Sequence, residues 1–398
     1  MTHISDLLLN LTPDRLEGAS RLMSYMLGEA RDVADADEVL TRMSELIRAG
    51  GVPLDRATSI VPLLHAEAVA SARFWERGTR ARNYLFPYNE ESGQGYAHSP
   101  AADVHKSGEW VILWLPDTAD GRYGIVPELK ADGYTHYIMA PVFMRSGMAG
   151  TFSFATQAAE GFSQDDIAFL RAVFPALSAC QEILATARAM QEALRIYVGE
   201  EPQRRIISGD VHRGEVMHIR SAILFADMRR FTELTADMSA EQATSLLNAY
   251  YDCIVPPIED AGGEVLKFIG DGVLAVFRAG EDGAEACSRA LKASRGGLAR
   301  VAARTEQPRF DVGTALHFGE VAFGNVGSGM RLDYTVIGRD VNLAARVAGL
   351  CGARNEPLLV SSEFRQRARL EGRSLGEQSL KGLQSREEVF AVSLAEDP

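Results

Sequence analysis

Three short segments in the second half of the chain carry polar residues that packing does not explain. In Phe225-Ala226-Asp227-Met228-Arg229-Arg230-Phe231-Thr232, Asp227 closes an apolar stretch and opens a loop. A carboxylate there can hold a cation, and the backbone N–H groups that follow, around Phe231 and Thr232, can cradle phosphate. Taken alone, an aspartate at a strand end is more commonly a cap or turn residue. In Lys267-Phe268-Ile269-Gly270-Asp271-Gly272, the glycines and Asp271 read as a tight turn between paired strands. That reading leaves Lys267 unexplained, because a lysine in an apolar strand is costly unless its ammonium finds a partner. The third segment runs Asp333-Tyr334-Thr335-Val336-Ile337-Gly338 and continues, after Arg339 and Asp340, into Val341-Asn342-Leu343-Ala344-Ala345-Arg346. Asn342 and Arg346 are four apart and share a helix face. A hydrogen-bonded surface pair would account for either residue alone.

Alternating strands and helices position these segments. The pattern predicts a strand over 222–226, a helix over 239–254 and a hairpin over 263–269 and 272–277. A helix over 284–301, strands at 310–315 and 320–324, a helix over 341–348 and a short β-rich tail follow. The order βαββαβ plus additions predicts a ferredoxin-like sandwich.

Together the three segments resemble the catalytic domain of class III adenylate cyclases, across about residues 218–393. The resemblance implies that Asp227 and Asp271, with Met228 beside them, bind two Mg²⁺ or Mn²⁺ ions per active site. It implies that Lys267 and Thr335 read the base, that Asn342 positions the ribose and that Arg346 stabilises the reacting phosphate. Lys381, in Ser379-Leu380-Lys381-Gly382-Leu383, matches the family's triphosphate-binding lysine, and Arg331 assists. Phe231 and Thr232 join the substrate-binding set. An ammonium at Lys267 can donate to adenine N1 but not to a guanine N1–H, which favours ATP over GTP. The resemblance also implies a homodimer with shared sites, in which one protomer supplies Asp227 and Asp271 and its partner the other four. Two positions depart from the family pattern: Arg230 stands where glycine is usual, and Arg339 where a small polar or acidic residue is common.

The first half has a different texture. Leu22, Met26 and Leu27, then Val39, Leu40, Met43, Leu46 and Ile47, predict helix over 14–49. Short apolar runs follow at 57–61, 110–114, 138–144 and 151–154, the last two joined as a hairpin by Arg145-Ser146-Gly147-Met148. Ser163 then caps a helix with Asp165 and Asp166 in its first turn. With its Ala-Pro-Val-Phe strand, Gly-Met-Ala-Gly turn and Gly-Phe-Ser-Gln-Asp-Asp helix start, this α+β module resembles a GAF domain across roughly residues 30–180. Trp75, Trp110, Trp114, His98, His105 and His136 can line a sensor pocket, although packing or surface placement explains each. Leu177, Cys180, Leu184, Ala187, Gln191 and Leu194 alternate three and four apart, as the seam of a parallel coiled coil or the buried face of one amphipathic helix.

The expectation is an α+β chain: a GAF-like sensor over 1–176, a signalling helix and polar linker over 177–217, and a cyclase domain over 218–398. The net charge of −13 argues against a general nucleic-acid surface. Four scattered cysteines make neither a zinc site nor a disulfide framework. No run approaches the ~20 apolar residues of a spanning helix, and a basic leader is lacking, so no membrane insertion and a cytoplasmic location are expected. The sensor's ligand or protein partner stays unassigned. A degenerate nucleotide-binding module, a guanylate cyclase and a diguanylate cyclase are the rival readings.

Overall fold

The helical periodicity at the start of the chain resolves into separate helices, α1 (Ile4–Leu9), α2 (Pro13–Leu27) and α3 (Ala36–Ala49). Gly28 ends α2, and the Asp35 carboxylate caps α3 by accepting from the Asp37 N–H at 2.9 Å. In this computed structural model the residues described are 4–65, 67–210, 212, 214, 216–328, 331–380 and 386–395, with Ile4 and Arg331 described in their backbone alone. They form two units, residues 1–196 and 197–398.

The first unit holds a six-stranded antiparallel sheet of order β3-β2-β1-β6-β5-β4. Its strands are β1 (Arg56–Pro62), β2 (Ala68–Glu76), β3 (Arg82–Pro87), β4 (Val111–Trp114), β5 (His136–Phe143) and β6 (Ala149–Thr156). The expected β5–β6 hairpin is present, closed by Gly147 at φ +86°. One apolar core joins α2, α3 and the sheet to α7 (Gln164–Val198), through Leu22, Met43, Phe154 and Leu177. A second core gathers α5 (Pro100–Ser107) and α6 (Val126–Ala131), which follow α4 (Glu90–Ala97), around Val104, Leu129, Tyr137 and Met139. The aromatic and histidine residues named above do not converge on one pocket. Trp75 is core, Trp110 packs edge-on against Phe174, and Trp114 packs edge-on against His136. His105 bonds the Gly150 carbonyl, and His98 its own helix at the Gln94 carbonyl.

Ser163 caps α7 as expected, its hydroxyl accepting from Asp166 N–H at 3.1 Å while Asp166 accepts from Ser163 N–H at 2.8 Å. The expected seam is corrected in its first half. Leu177 and Cys180 are buried in the unit's own core and Leu184 packs against it, because that face of α7 covers the sheet. The apolar stripe left exposed is instead Ile183, Met190 and Tyr197, with Ala187 and Leu194 between them at alternating steps of four and three. The hydropathy expectation also changes: α7 is long and apolar enough to cross a membrane by length and composition, with 50% of that window buried inside the protein.

In the second unit the expected polar junction is a helix, α8 (Glu200–Ser208). Its Glu201 is buried and takes ion pairs from Arg204, from Arg205 at 3.1 Å and from Arg278 at 3.2 Å. The strands that follow are β7 (Val216–Met228), β8 (Glu264–Ile269), β9 (Gly272–Arg278), β10 (Val312–Ser328), β11 (Arg331–Ile337), β12 (Leu358–Ser361), β13 (Arg373–Gln378) and β14 (Glu387–Ala391). Their sheet has the order β13-β14-β12-β10-β7-β9-β8, with β11 paired to β10. The helices are α9 (Phe231–Leu234), α10 (Ala240–Asp260), α11 (Ala284–Ala303), α12 (Arg339–Arg354) and α13 (Ser362–Ala368). Residues Leu224, Ala226 and Met228 of β7 pack with α10 and α11, whereas Ile223 and Phe225 face the α12 side. Two glycines of β10 let α12 lie close. A Cβ on Gly313 would meet Cys351 Cβ at 2.5 Å, and one on Gly319 would meet the Asp340 carboxylate at 2.1 Å. The helix therefore runs antiparallel to β10, pinned at both ends.

Candidate active site

Asp227 is the penultimate residue of β7 and pairs across the sheet with Gly272 on one side and Gly313 on the other. Neither neighbour carries a side chain, which leaves the carboxylate open space. The hairpin tip Gly270-Asp271 brings a second carboxylate to it. Gly270 has φ +62°, its carbonyl accepts from the Tyr251 hydroxyl at 2.6 Å, and the Tyr251 ring packs on Phe268 at 4.5 Å. Burial first, and the Asp271 charge second, push the Asp227 acid up to about 6. Two partly buried carboxylates that repel each other are what a divalent cation would relieve. No group of three or more His, Cys, Asp or Glu with metal-binding arrangement occurs among the described residues. The Met228 side chain is buried, so any metal contact from that residue is confined to its backbone carbonyl.

The loop that follows explains why Arg230 is unusual. Its backbone is left-handed, φ 58° and ψ 31°, a conformation that suits glycine. Its guanidinium turns outward to Glu233 at 2.6 Å. Phe231 is half-buried against the core and Thr232 is exposed, together opening the single turn of α9. Arg229 reaches back to Asn355 Oδ1 at 3.3 Å and to the Glu356 carbonyl.

The remaining candidate residues lie on β8, β11 and α12. Lys267 Nζ stands 2.8 Å from Asp333 Oδ2, which answers the question its place in the strand raised. Thr335 is two residues beyond Asp333 and so on the same face of β11, opposite Gly324. Asp333 was the acid that sequence reasoning passed over; its alternation with Thr335 was the available signal. On α12, Asn342 and Arg346 are exposed while Leu343, Ala344 and Val347 are buried. Neither Asn342 nor Arg346 has a polar partner among the described residues. The start of α12 is anchored by Asp340, which accepts from Glu320 N–H at 2.7 Å and faces His317 Nε2 at 3.7 Å. His317 Nδ1 in turn lies 2.7 Å from the Ser361 hydroxyl. This buried anchor carried no sequence signal. Arg331 is placed only in its backbone, and Lys381 lies outside the described residues.

Among the described residues no hydrogen bond or ion pair joins Asp227 or Asp271 to Lys267, Asn342 or Arg346. Cys351 marks the level of Asp227, since both flank Gly313. At 1.5 Å per residue, Arg346 is about 7 Å and Asn342 about 13 Å further along the helix. Among the described residues, burial and Asp271 set the Asp227 acid, and no cation opposes them.

Residues 217–393 match the family described as the adenylate and guanylate cyclase catalytic domain. The second unit is a class III cyclase catalytic domain. Similar proteins include an adenylate cyclase of Anabaena cylindrica, 36% identical over 139 residues, which are 33% of this chain and 27% of that one. An uncharacterized protein of Mycobacterium tuberculosis is 37% identical over 150 residues, 38% of this chain and 26% of that one. The match thus spans about a quarter of the length of these curated relatives. Among solved structures, a bacterial light-regulated adenylyl cyclase is 28% identical, with 45% of this chain and 93% of that one covered at a TM-score of 0.40. The guanylyl cyclase Cya2 is 25% identical, with 47% and 97% covered and the same TM-score of 0.40. The cyclase domain begins, on this match, within the long first strand β7.

Proposed function

We propose that the protein is an adenylate cyclase that converts ATP to 3′,5′-cyclic AMP and pyrophosphate, working as a homodimer under control of its first unit. The observation that carries this reading is the Asp227–Asp271 pair, two carboxylates brought together at a place where no cation among the described residues offsets them. Mg²⁺ or Mn²⁺ held by this pair would lower the pKa of the ribose 3′-hydroxyl and neutralise the triphosphate. The chain's own groups do the rest. Asn342 orients the ribose, and the unpaired Arg346 guanidinium donates to the non-bridging oxygens as charge gathers there. Lys381, Arg331 and the backbone around Phe231 and Thr232 hold the phosphates.

The separation of the carboxylate pair from Asn342 and Arg346 along α12 supports a site shared between protomers, each supplying the half the other lacks. Exposed Phe268, Ile269, Leu332 and Ile337 flank both halves and supply apolar surface for such a dimer. The order β10-β7-β9-β8 supports the ferredoxin-like reading of the catalytic sheet, and the hairpin and capped α7 support the GAF-like reading of the first unit. The domain division, 1–176, 177–217 and 218–398, and a cytoplasmic location belong to the same proposal.

Base choice rests on Lys267, with Thr335 and now Asp333 beside it. The ammonium donates to adenine N1, and a carboxylate or hydroxyl accepts from N6. One observation favours a second reading, guanylate cyclase: the same Lys267–Asp333 pair can donate to guanine O6 and accept from its N1–H. Mass analysis of products from ATP and from GTP, each with Mg²⁺ and with Mn²⁺, decides. Cyclic AMP from ATP at far higher kcat/KM is expected; cyclic GMP from GTP as the dominant product would transfer the assignment to the second reading, and no cyclic product from either would leave a binding module.

A further inference from the structure

Between α3, the sheet and α7 of the first unit lies a cavity of about 40 Å³. One water needs about 10–15 Å³ on such a measure, so the space admits roughly three or four water-sized groups. Met26, Val39, Leu40, Met43, Phe152 and Leu184 make its walls apolar. Its polar lining is out of balance. Arg73 and Arg188 both border the cavity, and burial first and the Arg188 charge second make the Arg73 guanidinium harder to keep protonated. Asp37 stands 2.9 Å from Arg73 Nε, out of line for a hydrogen bond. Arg188 has no acidic partner among the described residues.

Gln181 supplies the third feature. It is 5% exposed, and its amide nitrogen donates to Ser59 Oγ at 2.8 Å and to the Ile60 carbonyl at 3.2 Å. Those bonds fix the amide, leaving Oε1 a buried acceptor with no donor among the described residues. Leaving such an atom unpaired costs about 1–3 kcal/mol. Gln181 and Arg188 are seven residues apart, two turns along one face of α7, about 10 Å. Long side chains on a helix lean back toward its N-terminus, which brings the Arg188 guanidinium nearer Gln181 than that.

We propose that this cavity is a binding site for a small aliphatic carboxylate bearing a hydrogen-bond donor at its other end. The carboxylate lies between Arg73 and Arg188, the chain lies against Val39, Leu40 and Leu184, and the donor reaches Gln181 Oε1. The proposal deepens the regulatory reading of this unit by naming a ligand class, and it places that ligand on α7, the helix from which the chain runs into the cyclase domain.

The test uses the full-length protein, with glycolate, acetate and ethylene glycol as probes in titration calorimetry, each small enough for the space. Saturable binding of glycolate is expected, weaker by roughly fivefold for acetate, which lacks the one hydrogen bond, and undetectable for the diol, which lacks the charge. Arg188→Gln should weaken binding by about tenfold or more, and Leu184→Trp should abolish it by filling the space. A Gln181→Leu variant should erase the preference for the hydroxylated probe. No saturable binding of either carboxylate overturns the site, as does binding unchanged in both Arg188→Gln and Leu184→Trp variants of native melting temperature. Cyclic nucleotide formation is measured in the same titrations. Binding with unchanged product formation upholds the site and overturns the regulatory reading; altered formation that Arg188→Gln abolishes upholds both.

Discussion

The two units use their polar residues in opposite ways. In the cyclase domain the chemically capable groups stand at a strand end, a hairpin tip and an outward helix face, and the pairs they lack are offered to a ligand or a second protomer. In the first unit the corresponding groups, Arg73 and Gln181, are buried under an apolar roof with their hydrogen bonding incomplete. An exposed polar cluster is free to wait for its partner, because water satisfies it meanwhile. A buried one is in deficit until something fills it. On the proposals made above, the contrast sets a unit that turns its ligand over against one that its ligand fills.

The largest expected effect breaks the catalytic half of this comparison. Asp271→Asn should lower product formation on the order of a thousandfold or more, since it removes a metal ligand and the charge it supplies. The same change should raise the thermal stability of the metal-free protein, because it relieves repulsion on Asp227. The sign is fixed by the direction of the shift. A folded acid near 6 lies above its unfolded value of 3.8, so metal-free stability falls as pH rises through that window, and in Asp271→Asn the fall should shrink but persist, because burial is the larger cause of the shift. Calorimetric scans with chelator across this pH range, beside product assays, check both. A variant that is inactive and also less stable would mean Asp271 holds the hairpin rather than a metal.

The shared site is the next to be tested. Asp227→Ala and Arg346→Ala should each be nearly inactive as homodimers. Co-expression gives mixed dimers in which one site carries both lesions and the other none. With free exchange and independent sites, activity should return to roughly a quarter of wild type. Verified mixed dimers as inactive as their parents would place the two residues in one chain's site, against the displacement along α12.

How much of this was legible in the sequence follows the same division. Asp227, Lys267, Asp271, Thr335, Asn342 and Arg346 could be proposed as a set because together they match a family's motifs, whereas a cap, a turn or a surface pair explains most of them singly. Asp333 was missed because a charged residue on an edge strand looks like ordinary solvation. The seam on α7 was misplaced by one face: Leu177, Cys180 and Leu184 keep heptad spacing and also keep the 3.6 spacing of a core face, and only the fold says which core they meet. Arg73 and Gln181 sit 108 residues apart, too far for any local pattern to join them. The left-handed backbone of Arg230 was half visible, as a departure from glycine whose physical meaning needed φ.

A smaller effect sharpens how the catalytic helix is held. Asp340 anchors the start of α12, and the facing His317, helped by Glu320 N–H and opposed by burial, holds its carboxyl below the usual range. Asp340→Asn should lower kcat by roughly tenfold, short of the ~100-fold that a 1 Å misplacement costs, with KM for metal unchanged. The anchor's stability contribution is complete above the unfolded value of 3.8 and is lost as pH falls through the lower folded value. Wild type should therefore lose more stability than Asp340→Asn on acidification. Equal acid sensitivity of the two melting curves would remove Asp340 from this role.

The smallest effect separates backbone from side chain at Arg230. A non-glycine residue in the left-handed region costs about 1–2 kcal/mol, while glycine gives up about 0.5–1 kcal/mol through its freer unfolded chain. The exposed ion pair to Glu233 is worth about 0.3–0.5 kcal/mol. Arg230→Gly should then gain roughly 0.5 kcal/mol, and Arg230→Ala, which keeps the strain and loses the pair, should lose a few tenths. A gap of about 1 kcal/mol between the two variants corresponds to about 2–4 °C in a domain of this size. Activity should change by less than about twofold in either variant, because the guanidinium points to Glu233 and away from the carboxylate pair. If instead both variants lose activity together while their melting temperatures split as expected, the guanidinium leaves Glu233 for the triphosphate during turnover. Arg230 would then join Arg346 as a group whose partner arrives only with substrate.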